Sequence, residues 1–306
     1  MKQLACNMNV IYEFNKDHEP VLLIDAGETV EIETYDCFEN QVQDMETPIA
    51  GIDWNRVNPA TGPIFVNQAK KGDILKVTID KIEIGDQGVM AAGPNLGTLG
   101  HLIDEMAQKV MPIEDNHVVF DDKLRIPLNT MIGVIGVAPE GEPCALAVPC
   151  GTPDRHGGNM DTKLIKEGAT LYFPVFTDGA LFALGDFHAA MGDGEIGVSG
   201  VEVPGKATVT IDVIKGQSIE HPVLTNEDGI VFLASSETLD EATKIATEQA
   251  GKFLKASTDL SMGEIAMLLS AAGDIEISQI VDPLLTARFV IPQYVLDAYD
   301  ITPFKS

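Results

Sequence analysis

The segment Ala207-Thr208-Val209-Thr210-Ile211-Asp212-Val213 alternates apolar and polar side chains without a break. Successive side chains of an extended chain point to opposite faces, so the pattern predicts a strand with one face in a core and the other toward water. The same texture recurs upstream in Val30-Glu31-Ile32-Glu33-Thr34 and Ile74-Leu75-Lys76-Val77-Thr78-Ile79. Over residues 1–234 such runs are separated by Gly, Pro, Asp and Asn, and turns this closely spaced predict a β-sandwich or barrel-like body. Two stretches, starting at Lys70 and at Lys163, share a polar lead, a Gly turn, a strand and a later Gly-Asp pair (Gly85-Asp86 and Gly185-Asp186). This is either an internal duplication or the ordinary reuse of a Gly-turn-strand pattern.

The texture changes after Ser235. Thr238-Leu239-Asp240-Glu241 reads as a capping box, with Leu239, Ala242, Ile245, Ala246, Phe253 and Leu254 on one helical face. A second box, Ser261-Met262-Gly263-Glu264, opens a helix that Gly273 stops. The expected fold is therefore α+β and predominantly β: a β-rich body over residues 1–234 with a C-terminal α+β segment, 235–306, packed on it in one globular unit. The exposed helical faces read as polar, suited to scaffold or subunit contact.

Across 306 residues, 20 Lys+Arg stand against 47 Asp+Glu, a net charge of −27. That removes the cationic surface needed to bind nucleic acid or an acidic membrane. No apolar run approaches the ~18 residues of a membrane span, and the N-terminus lacks a signal peptide's apolar core, so a cytoplasmic location is expected. Cys6, Cys37, Cys144 and Cys150 have no metal-ligand spacing.

Candidate chemistry concentrates between Cys150 and Glu202, in Asp154-Arg155-His156-Gly157-Gly158-Asn159-Met160-Asp161 and Gly185-Asp186-Phe187-His188-Ala189-Ala190-Met191-Gly192-Asp193-Gly194-Glu195. Glycines let backbone approach a small ligand and leave acids and imidazoles reachable. Asp186 and His188, two apart on an extended chain, point to one side and could reach one metal or one water; Asp193 and Glu195 repeat that spacing. Carboxylates with imidazole suit zinc or calcium, and the plain alternative is a turn with capped acids. Asp36, ending a strand in apolar surroundings, would need a hydrogen-bond network or a cation. Nucleophile elbows, phosphate loops and HExxH are missing from the sequence, and Cys150 near His156 is the one thiol-imidazole alternative.

Val57-Asn58-Pro59-Ala60-Thr61-Gly62-Pro63-Ile64-Phe65-Val66, Ile135-Gly136-Val137-Ala138-Pro139, Gly157-Gly158-Asn159-Met160-Asp161 and His188-Ala189-Ala190-Met191-Gly192-Asp193-Gly194-Glu195 occur in this order. Together they resemble the acetamidase/formamidase family, over residues 9–300. The resemblance implies hydrolysis of a small aliphatic amide to carboxylate and ammonia, a β-rich α+β fold and a homo-oligomer of two or more copies. On the residues' chemistry, a divalent cation, zinc or calcium, is expected on Asp36, Asp161, Asp186 and His188. Glu195 or Glu202 would move the proton, with Asp193, His156 and Asn159 as further catalytic candidates and Asn159 steadying the oxyanion. Gln41, Met160, Phe187 and Met191 are expected around the substrate. The alternatives are a Cys150-nucleophile amidohydrolase, a non-catalytic β-sandwich binding calcium or a small ligand, and an assembly protein using the C-terminal helices.

Overall fold

A computed structural model describes residues 1–140 and 147–304; Cys144 lies outside them. The alternating segment folds as predicted: within strand Gly205–Ile214, Ala207, Val209 and Ile211 are buried while Thr208, Thr210 and Asp212 are half-exposed. This strand lies inside a nine-stranded sheet, between Glu28–Thr34 and Ile74–Ile84. The sheet continues through Thr170–Pro174, Val223–Asn226, Gly229–Ser236 and Leu285–Pro292 to a free edge at Asp274–Gln279. The C-terminal segment thus extends the body's own sheet, because Gly229–Ser236 pairs along its whole length with Leu285–Pro292.

A second sheet of eleven strands is centred on Phe182–His188, flanked by Met131–Gly136 on one side and Glu202–Val203 on the other. The two sheets share one core, with Val77, Val209, Ile211 and Phe173 meeting Ile64, Ile132, Phe182, Leu184 and Phe187. Burying such side chains between two sheets is the main stabilising term of a sandwich.

Helices Leu239–Ser257 and Met262–Ala272 cover the other face of the nine-stranded sheet, where Ala246, Ala250, Leu254 and Ile265 meet Phe232, Phe289 and Ile291. Thr238 caps the first by accepting from the Glu241 N–H, and Ser261 with Glu264 completes a reciprocal box on the second. The polar exterior expected of the helices fails at the second, which exposes Met262 and Met267. The fold is α+β and mainly β, as the alternation predicts. Of the two similar layouts, Ile74–Ile84 and Thr170–Pro174 are antiparallel neighbours with Val77 opposite Leu171. Their Gly-Asp pairs differ: Gly85-Asp86 forms a turn, while Gly185-Asp186 lies inside a strand.

Candidate active site

Strand Phe182–His188 is buried along its whole length, and a break in its alternation at Asp186 (φ 59°) sorts the chemistry. Phe187 enters the core between the sheets, while Asp186 and His188 share the opposite side. The neighbouring strands add to that side. Glu202 is registered against His188, and Asn159, on Gly157–Asn159, is registered against Val134 of the adjacent strand. Asp161 follows two residues later, and the loop after Met191 brings Glu195.

His188 lies at the centre of the acids. Its Nε2 is 3.2 Å from Glu202 Oε2, 3.6 Å from Asp186 Oδ1 and 3.7 Å from Asp161 Oδ1. Three sets of possible ligand atoms lie within 4.8 Å of one another: Asp161, Asp186 and His188; His188, Glu195 and Glu202; and Cys37, Asp186 and Glu202. Buried acidic and imidazole groups here could therefore hold a metal ion. All of these residues are buried. Asp161, Asp186 and Glu195 have left-handed backbone (φ 37°, 59° and 46°), a conformation that non-glycine residues adopt at a cost and that is often retained at functional sites. Two glycines make the space. A Cβ on Gly133 would strike a carboxylate oxygen of both Asp161 and Asp186, and one on Gly200 would come within 2.5 Å of His188 Nδ1.

The electrostatics follow from burying like charges together. Burial, with neighbouring acids, pushes Glu195 up to about 8 and Glu202 up to about 7. Asp161 is raised well above the carboxylate range by burial and by Glu195 and Asp186, and Asp282 by burial and by Asp161 and Asp186. Burial pulls the His188 imidazole down, but the facing Glu202 and Asp186 outweigh it and favour the protonated ring. Both oxygens of Asp161, Nδ1 of His188 and Oδ1 of Asn159 are buried without a hydrogen-bond partner. Such a set is costly unless a cation or a polar ligand completes it.

Above the cluster is a cavity of about 150 Å³. Asn159, Asp186, Glu195, Glu202, Asp282 and Cys37 form its polar side, and Phe38, Trp54, Leu96 and Val198 its apolar side. Asp282 accepts a hydrogen bond from Asn159 Nδ2 at 3.2 Å. Asp282, Cys37 and Trp54 escaped the sequence reading. An acid closing the apolar run Ile280-Val281 was the available signal for Asp282.

The structure brings Asp161, Asp186, His188, Glu195, Glu202 and Asn159 together and places the other candidates elsewhere. Asp36 accepts the N–H groups of Phe38 and Asn40 at 2.9 and 2.7 Å, which holds the turn presenting Cys37 and Phe38; burial raises it to about 6. Gln41 hydrogen-bonds both backbone groups of Asp53, the residue capping the turn that carries Trp54. Asp193 is held by Arg288 and Lys163. His156 is buried edge-on to Phe14 at 5.1 Å, and burial lowers it to about 3, so it stays neutral. Met160 and Phe187 belong to the main core, and Met191 lines a separate groove on the far side of Glu195. Cys150 is packed with Ile11 and Phe14, and burial raises its thiol far from the thiolate that a nucleophile requires.

The family model for the acetamidase/formamidase family matches residues 5–146 and 141–298. The chain belongs to the acetamidase/formamidase family. A crystal structure from Thermoanaerobacter tengcongensis, described as a predicted acetamidase/formamidase, superposes with a TM-score of 0.95 at 50% identity, over 98% of each chain. A formamidase of Methylophilus methylotrophus is 26% identical over 95% of this chain and 90% of its own. A Schizosaccharomyces pombe relative is also 26% identical, over 63% of this chain and 61% of that protein's length. The resemblance seen in the four motifs is thereby established, and this family member is an amidohydrolase rather than a non-catalytic module.

Proposed function

We propose that this family member hydrolyses small aliphatic amides, of formamide or acetamide size, to carboxylate and ammonia at the His188 cluster. The observation that carries the reading is the cavity: about 150 Å³, walled on its apolar side by Phe38, Trp54, Leu96 and Val198 beside a cluster of buried acids. Sites for drug-sized ligands run to roughly 300–1,000 Å³, so this one suits a molecule of a few heavy atoms.

The donor set fits a divalent cation, being rich in carboxylate oxygen with one imidazole, and carrying buried carboxylate oxygens that lack partners. Asp161, Asp186 and His188 would hold it. Such a cation, when bound, makes water a better nucleophile and polarises a carbonyl. Glu195, with a carboxyl raised to about 8, exchanges its proton near neutrality, taking it from the attacking water and returning it to the leaving nitrogen. Asn159, fixed by its bond to Asp282, orients the amide from the wall. Phe38, Trp54, Leu96 and Val198 exclude longer acyl chains and bulk water.

A homo-oligomer belongs to this reading, supported by Met262 and Met267 exposed on the second helix and Ile275 and Ile277 exposed on the free edge strand. So does a cytoplasmic location, supported by buried free thiols at Cys6, Cys37 and Cys150.

The test is ammonia release from formamide, acetamide and longer amides, before and after dialysis against a strong chelator. The expected result is turnover of the shortest amides, lost on dialysis and restored by a divalent ion. Full activity in metal-free protein overturns the cation, and preference for long-chain amides overturns the substrate.

A further inference from the structure

Arg288 is the largest fully buried side chain among the described residues, 1% exposed, yet it does not line the cavity. Its guanidinium donates to both oxygens of Asp193, at 2.9 and 2.8 Å, and its Nε donates to Glu276 at 2.7 Å. Burial raises the Asp193 carboxyl, but Arg288 and Lys163 outweigh it and keep the group below the usual carboxylate range. A buried arginine is expensive to desolvate, and it persists where a bidentate partner must be held in one place.

What it holds is the segment carrying Glu195. Gly194 donates its N–H to Ser278 O at 2.8 Å and accepts from Ile280 N–H at 3.2 Å, pinning the segment to the end of strand Asp274–Gln279. Glu195 follows directly, in left-handed backbone. The same arginine reaches the Asp161 segment by a second arm. Nη1 donates to Ser278 Oγ at 3.1 Å, and that oxygen accepts from Thr162 Oγ1 at 2.8 Å. Lys163, two residues past Asp161, closes the arrangement on Asp193 at 2.7 Å.

We propose that Arg288, Asp193 and Lys163 form a positioning clamp that fixes Glu195 and Asp161 relative to each other within the acid cluster. The inference rests on the reading above, in which Glu195 carries the proton. Asp193 is thus a positioning residue, with no contact to the reacting atoms.

The test is a double-mutant cycle on amide hydrolysis with Asp193→Ala and Glu195→Gln, measuring kcat and KM separately. A displacement of ~1 Å typically lowers rates ~100-fold, so Asp193→Ala is expected to lower kcat roughly 10- to 100-fold with KM within about 3-fold. In the Glu195→Gln background the same change is expected to alter kcat several-fold less than in the parent protein, because one of the two groups it positions has lost its carboxyl. Lys163→Met, which removes only the half-exposed arm, is expected to lower kcat in the same direction, and Arg288→Lys to retain more activity than Arg288→Met. If Glu195→Gln lowers kcat but Asp193→Ala does not, or if the two losses multiply undiminished, the clamp is overturned and the proton-transfer reading stands. If Glu195→Gln keeps full kcat, that reading falls and the clamp falls with it. Should Asp193→Ala fail to fold, the Lys163→Met cycle with Glu195→Gln decides by the same criteria.

Discussion

Gly133 offers the sharpest test of whether the acid cluster is the reacting centre. It faces Asp186 across the strand pair, and its missing side chain is the space in which two carboxylates sit. A Cβ there would strike the Asp161 and Asp186 carboxylates and stand 3.0 Å from the Asp186 carbonyl oxygen. The side chains cannot simply swing away, since both residues are fully buried with left-handed backbone, so the added methyl must shift both acids or push the strands apart. Overpacking of this kind costs about 1–3 kcal/mol of stability. A shift of ~1 Å at the reacting centre lowers the rate ~100-fold, equivalent to about 2.7 kcal/mol. Gly133→Ala is therefore expected to lower kcat on a short amide by about two orders of magnitude, with a loss of stability of about 1–3 kcal/mol read by thermal or denaturant unfolding. Gly251→Ala is the control. It lies mid-helix, where a Cβ would meet nothing nearer than Met262 Sδ at 4.0 Å, and should raise stability by about 0.5–1 kcal/mol without touching kcat. A folded Gly133→Ala protein with native kcat would refute the assignment of Asp161 and Asp186 to the reacting centre.

The remaining expectations concern charge and the thiol. Glu195 is raised from its ordinary 4.5 to about 8, so the folded state binds a proton that the unfolded state has released. The metal-free protein should therefore lose stability as pH rises from about 4.5 to about 8, by an amount of order a few kcal/mol at about 1.4 kcal/mol per pH unit. Glu195→Gln should flatten that slope in urea unfolding series at several pH values, and an unchanged slope would dismiss Glu195 as its source. A divalent ion added to chelator-stripped protein should raise the melting temperature, more strongly at pH 8 than at pH 5, because proton and cation compete for the same oxygens. Equal shifts at both pH values would exclude the carboxylates as its ligands. Cys150→Ala should keep kcat within about 2-fold while lowering stability by roughly 1 kcal/mol for the small void it leaves. Loss of turnover without loss of fold would return Cys150 to consideration as a nucleophile.

What could be read in the sequence was local. Period-two alternation gave strands such as Gly205–Ile214, and the Thr238 and Ser261 caps gave both long helices, because each signal lies within a few residues of the element it starts. The sheet order, with Asp274–Gln279 extending a sheet begun at the N-terminus, depends on pairings far apart in the chain and leaves no local mark. The site divides in the same way. Asp186, His188 and Glu202 share two adjacent strands, so spacing and glycine context revealed them; Cys37 and Asp282 arrive from opposite ends of the chain.

The misplacements are the more instructive part, because each comes from treating nearness in sequence as nearness in space. Phe187 sits between Asp186 and His188 yet packs in the core with Phe182 and Leu184, because the left-handed backbone at Asp186 (φ 59°) interrupts the alternation and turns Asp186 and His188 to the other side. Asp193 and Glu195 fail differently. Their i, i+2 spacing would place both on one side of a strand, but Gly194 at φ +99° and Glu195 at φ +46° break the extended geometry. One acid turns to Arg288 and the other to His188. The period-two rule holds only where the backbone is extended, and the glycines that mark a segment as functional are also where that rule stops applying. In this chain the same glycine-rich segment therefore marks the acid cluster and conceals which of its acids faces the cavity.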